Sequence, residues 1–171
     1  MDVIEAIHGR RSIRKFTDEP VAEADVERML KAAMVAPSAG NQQPWQFVVV
    51  RNRKTLKKIT DINPYAPMAE QAPLGILVCG DLRLEKHPGF WVQDCSAAAQ
   101  NLLLAVHGLG LGGVWTGIYP LEDRVKGFGE LFGLPEPVVP LAFVVIGHSA
   151  EPAKETDRYR SDRVRMERWS G

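Results

Sequence analysis

Only two residues of this 171-residue chain are cysteine, Cys79 and Cys95, and they form no C-x-x-C pair. Their neighbours are apolar or small. They read as buried thiols of a reducing compartment rather than a disulfide framework or a metal clip. Net charge is also missing, because 21 basic side chains balance 21 acidic ones. No global field therefore draws the chain to nucleic acid or to an anionic membrane. No window approaches the ~18 apolar residues that a membrane-spanning helix needs. The first residues carry charge and do not read as a secretory leader, so the expected location is cytoplasmic. His8, His87, His107 and His148 are scattered, with no ligand pair at helical spacing, and no metal site is expected. A G-x-S-x-G elbow and a P-loop lysine are absent too, which removes two common catalytic signatures.

What remains has ordinary globular composition, 45% hydrophobic and 25% charged. The length fits one domain spanning 1–171 with a real core. "DVIEAIHGR" predicts a short helix with Val3, Ile4 and Ile7 on one face and Gly9 ending it. Ala22, Val26, Met29, Leu30 and Ala33 repeat at helical spacing before Pro37. "RKTLKKIT" reads as a surface helix. "QFVVV" (46–50), "LGILVCG" (74–80) and "LAFVVIG" (141–147) read as strands buried on both faces by helices. The pattern leaves strand order open, and a doubly wound sheet fits it equally well. Between Trp91 and His107 a helix is apolar on most of its circumference, with Gln93, Gln100 and His107 on one polar stripe beside Asp94 and Asn101. Such a helix is buried nearly all round, either at the centre of a core or at the heart of a dimer.

"GLGLGG" (108–113) matches G-x-G-x-x-G, but it follows a helix and leads into the extended-looking "VWTGIY". A dinucleotide fingerprint needs the opposite order, strand then helix. The glycines read instead as a helix end and a turn into a strand.

Three stretches concentrate binding chemistry. "GRRSIRKF" (9–16) packs four basic side chains into a neutral protein. Extended, it would turn Arg10, Ser12, Arg14 and Phe16 to one side and Arg11 and Lys15 to the other. Two guanidiniums around a hydroxyl match the donors a phosphate monoester takes, although a solvated basic loop has the same composition. "APSAGNQQPW" (36–45) joins small residues to three amides, which suit the edge of a flat heterocycle. The tail "DRYRSDRVRMERW" interleaves Arg158, Arg160, Arg163, Arg165 and Arg168 with Asp157, Asp162 and Glu167. It reads as an extended arm over 150–171 that pairs its own charges, with Trp169 suggesting that it docks on something. Acids among the arginines argue against a nucleic-acid face.

Together, and in this order, these stretches resemble the nitroreductase-like family of FMN-dependent NAD(P)H oxidoreductases. The resemblance is carried by I-x-x-R-R-S-I-R-x-F (Ile7 to Phe16), A-P-S-x-x-N-x-Q-P-W-x-F (Ala36 to Phe47) and A-x-Q-N-L-L-L-A-x-x-x-L-G-L-G (Ala98 to Gly112) running into G-x-W-T-G. It covers nearly the whole chain. It implies an α+β fold, with a mixed sheet flanked by helices on both faces, in an intertwined homodimer with FMN at the subunit interface. The implied cofactor-binding set is Arg10, Arg11, Ser12, Arg14, Pro37, Ser38, Ala39, Asn41, Trp115, Thr116, Gly117 and Arg158, with Arg163 as the alternative to Arg158. Within it, Arg10 and Ser12 would hold the phosphate or ribityl chain, Arg14 either the phosphate or the N1/O2 ring edge, and Arg11 would be a solvent-side or structural charge. Pro37, Ser38 and Asn41 would line the ring from the partner subunit, and 115–117 would pass its N5 edge with a backbone N–H. The implied reaction passes a hydride from NADH or NADPH through FMN to a small electron-poor acceptor: nitroaromatic, quinone, enone or flavin. No side chain need be an obligatory acid or base. The segment between the first two strands is short, and a relatively open acceptor pocket is expected. A non-catalytic FMN-binding or storage protein would present the same contacts.

Overall fold

The computed structural model describes residues 2–153 and 156–169. Along the chain run α1 (Val3–Gly9), α2 (Glu23–Met34), β1 (Trp45–Val50), α3 (Arg53–Ile62), β2 (Leu74–Asp81), α4 (Trp91–Gly108), β3 (Gly112–Gly117), α5 (Glu122–Phe132) and β4 (Val138–Gly147). The four strands form one sheet in the order β1-β2-β4-β3, with every neighbouring pair antiparallel. The doubly wound alternative fails here, because a continuous apolar run reports burial on both faces and says nothing of strand direction. A parallel element enters at the β3 edge, where Ser12 bridges Gly113.

Both faces of the sheet are covered. Leu74, Ile76 and Val78 of β2 join α2 and α4 in one cluster, whereas Leu77 and Cys79 join α3 and α5 in the other. That division is the period-two alternation of a strand. β2 is buried along its whole length. Burial pushes the free Cys79 thiol up to about 12 and raises Cys95 as well, so both stay protonated. Among the described residues, no helix is long and apolar enough to cross a membrane.

α4 is the central helix. Ala98, Ala99, Leu102, Leu103 and Val106 are buried in the α2 cluster, and Asn101 Nδ2 donates to the Ala32 carbonyl of α2 at 3.2 Å. Its polar stripe is narrower than the sequence suggests. Gln93 and Gln100 face water, but Asp94 is buried. Gly108 ends the helix, Gly110 takes φ +77° and Gly112 opens β3, so the glycine run is a helix terminus and turn.

α1 departs from expectation in packing. Its capping box is complete, with Asp2 accepting from Ile4 N and Glu5 N and Glu5 accepting from Asp2 N. Yet Val3, Ile4 and Ile7 are 69%, 61% and 50% exposed, so the apolar face that the sequence marks lies open within this chain. α5 was not apparent in the sequence, because Gly127 and Gly129 interrupt its periodicity. It forms because Phe128 docks against Phe143 of β4.

Candidate functional site

The basic stretch after α1 is stitched to the ends of the sheet. Ile13 N donates to Gly113 O (3.1 Å), Thr17 N to His148 O (2.9 Å) and Ala150 N to Lys15 O (2.9 Å). Arg14 N donates to Glu151 Oε1 at 2.7 Å. Ile13 and Phe16 are buried as anchors, while Ser12, Arg14 and Lys15 face water. Strict alternation therefore fails: Phe16 does not share a side with Ser12 and Arg14. The two apolar anchors are three residues apart, so the segment twists between them.

A cleft of about 560 Å³ opens along this stretch. It is lined by Arg11, Ser12, Arg14, Lys15, Thr156 and Arg158, among others. Arg10, Arg11 and Arg158 also line an adjoining cleft with Thr156 and Asp157. The arm thus brings Arg158 back to the N-terminal arginines across almost the full length of the sequence. Arg163, which closes a short turn at Ser161–Arg163, lines neither cleft. Arg10 loses basicity through burial first, then through the Arg158 and Arg11 charges. No carboxylate among the described residues pairs with Arg10 or Arg158. Like charges held together in this way are costly until an anion separates them. Arg11 differs, since its Nη1 donates to His8 O (2.6 Å) and Arg10 O (2.8 Å), tying it to the backbone of the turn.

The second stretch is held elsewhere, and Pro37, Ser38, Ala39 and Asn41 do not line the arginine clefts. Ser38 precedes a tight turn over Ala39–Asn41. Its Oγ accepts from Gln43 N at 3.1 Å. Gly40, Asn41 and Gln43 all have positive φ, at 53°, 53° and 48°, which is strained for the two amides. The anchor is a buried network that sequence reasoning missed. Asp94 of α4 accepts from Ala39 N (2.9 Å) and Gln42 Nε2 (2.6 Å), and Gln42 Oε1 accepts from Lys86 N (2.8 Å) and His87 N (3.0 Å). Gln42 is thus consumed internally, while Pro37 and Asn41 stay exposed. A lone carboxylate in an otherwise apolar helix was the available signal.

In β3, Trp115 is half-buried. Thr116 is buried, with its hydroxyl donating to Phe143 O at 2.8 Å. Gly117 O accepts from Asn63 Nδ2 (3.3 Å) and Arg124 Nη1 (2.9 Å), which fixes the strand end. Thr116 therefore has no free hydroxyl hydrogen to offer a ligand.

The sequence model of the Nitroreductase family matches residues 7–64 and 62–148. The chain belongs to this family. A protein of Methanothermobacter thermautotrophicus, provisionally named NADH dehydrogenase/NAD(P)H nitroreductase, is 54% identical over 99% of this chain and 88% of its own length. The FMN reductase [NAD(P)H] of Bacillus subtilis is 30% identical over 95% of this chain and 72% of its own. Among solved structures, a provisionally named nitroreductase of Desulfovibrio desulfuricans in complex with FMN superposes with a TM-score of 0.86 at 30% identity, covering 99% of each chain.

Proposed function

We propose that this chain is an FMN-dependent NAD(P)H oxidoreductase that acts as a homodimer. The observation that carries the reading is a pair of adjoining clefts that share Arg158, one lined also by Ser12 and Arg14 and the other by Arg10, in which neither Arg10 nor Arg158 pairs with a carboxylate among the described residues. Their donors fit a phosphate monoester: planar forks and a hydroxyl. FMN, when bound, supplies the two-electron chemistry, taking a hydride from NADH or NADPH and passing it to an electron-poor acceptor such as a nitroaromatic, quinone, enone or flavin.

The protein's part is to hold, orient and tune. Arg10 and Arg158 neutralise the phosphate and Ser12 adds a hydroxyl donor, while Arg11 braces the turn. Arg14 lines the same cleft as Ser12 and Arg158, from which it would serve either the phosphate or the N1/O2 edge of the ring. At that edge a fixed cation stabilises the charge that reduction leaves. With Thr116 Oγ1 committed to Phe143 O, any contact of β3 with the N5 edge would have to come from its backbone rather than from that hydroxyl.

The dimer follows from what one chain leaves uncovered. Val3, Ile4 and Ile7 of α1 lie open, and so do Tyr159, Val164, Met166 and Trp169 of the arm. That much exposed apolar surface marks an interface. Pairing two chains would also unite the arginine cleft of one protomer with Pro37, Ser38, Ala39 and Asn41 of its partner.

Titrating the purified protein with FMN while following sedimentation tests this reading. One FMN per chain on a dimeric species is expected. Deletion of the arm from Ala150 onward should give a monomer that has lost FMN. A wild-type monomer with full flavin would contradict the interface site.

A further inference from the structure

α4 ends beside the arginines, and the side chain it delivers there is His107. A cavity of about 230 Å³ is lined by His107 together with Arg10, Arg11, Ile13 and Glu151. The ring lies against the last residue of α1, so closely that a Cβ on Gly9 would come within 2.9 Å of His107 Nε2. Glycine is what lets the imidazole sit on the turn that launches Arg10.

The charged groups around this ring come from several elements. Arg10 and Arg11 face it from the turn after α1, and Glu151 enters the same cavity from the segment after β4, with its Oε1 held by Arg14 N. α1 itself carries Glu5 and His8, both exposed. Arg28 of α2 lines a separate cleft with Ala105 and Gly108 and is paired with Asp25 at 3.3 Å. Asp94 is at the opposite end of α4. Burial, then Arg10, then Arg11, hold the His107 imidazole below its ordinary value of 6.5. The ring is therefore neutral at physiological pH.

We propose that His107, which shares a cavity with Arg10 beside the arginine clefts, is a basic group at the edge of this anion site that takes up a proton when a phosphate monoester binds there. The inference rests on the reading of the arginine cleft as a phosphate site. A dianion among the guanidiniums cancels the repulsion that disfavours the imidazolium and adds an attraction of its own. The helix C-terminus under the ring favours the cation as well.

The sign of the linkage is fixed. Occupancy raises the His107 pKa, so binding takes up a proton and affinity gains as pH falls through the raised value. Above that value there is no gain. The second ionisation of the phosphate monoester works in the opposite direction, but it is common to wild type and variant.

The test measures FMN affinity by fluorescence quenching for wild type and His107→Gln at about pH 8.5 and about pH 6.5. Near pH 8.5 the two should agree within about twofold. Near pH 6.5 the variant should bind about three- to tenfold more weakly, as expected for a charge pair near a protein surface. A wild-type to variant ratio that does not change with pH overturns the proposal. The His107 ring resonance of the wild-type protein, titrated by NMR with and without FMN, gives the answer independently of how the variant folds. An upward shift of its midpoint with FMN is expected, and an unmoved midpoint is the overturning result. Wild-type protein that does not bind FMN at all overturns the phosphate reading, and this inference with it.

Discussion

Arg10→Ala should weaken FMN binding by about 10- to 100-fold, the cost of losing hydrogen bonds to a charged group, while leaving the apoprotein at least as stable as wild type. The two halves of that expectation share one cause. Arg10 is pressed by burial and by the Arg158 and Arg11 charges, so its removal relieves repulsion in the apoprotein. On the proposed reading, the same guanidinium would face the phosphate in the complex. Arg11→Ala should cost far less affinity, because the Arg11 fork is engaged with the His8 and Arg10 carbonyls. Equilibrium dialysis for affinity and urea unfolding for stability separate the two effects. Equal losses of affinity at Arg10 and Arg11 would show that the stretch binds as undifferentiated charge.

Asp94→Ala should be the most destabilising polar substitution in the chain, by about 3 to 5 kcal/mol. It leaves the Ala39 N–H and the buried Gln42 amide without their acceptor, and each orphaned buried donor costs about 1–3 kcal/mol. Gln42 in turn holds Lys86 N and His87 N, so the left-handed turn at Gly40 and Asn41 would lose its support. FMN affinity should fall with it, although Asp94 itself lines neither arginine cleft. A shifted urea midpoint with an unchanged slope is the expected result. A loss below about 1 kcal/mol would mean that the turn is held by something other than this network.

The buried parts of the fold were legible because apolar runs report burial directly. "LGILVCG" and "LAFVVIG" did become the two central strands, β2 and β4. Their antiparallel order was not legible, since direction leaves no trace in a strand covered on both faces. α5 escaped because two glycines interrupt a helix whose burial centres on one phenylalanine, Phe128, with Val125, Leu131 and Phe132 packed beside it. The residues of the candidate site were legible as chemistry but not as geometry. Arg10 and Arg158 meet because the chain after β4 turns back past Lys15 and Arg14, a contact between residues far apart in sequence that no local pattern encodes. Asp94 and Gln42 were read as a polar stripe and as a heterocycle edge. Both are internal struts, because a buried carboxylate and a buried amide satisfy each other more cheaply than either could be left alone.

The central claim is that this chain holds FMN and reduces it with a nicotinamide donor. The most direct test is the visible absorption spectrum of the FMN-reconstituted protein, recorded without oxygen before and after adding NADH or NADPH. A protein-bound flavin band that bleaches on addition of the donor and returns when a quinone or nitroaromatic is added is expected. A bound band that neither donor bleaches would contradict that claim and leave a flavin-binding protein without reductase activity.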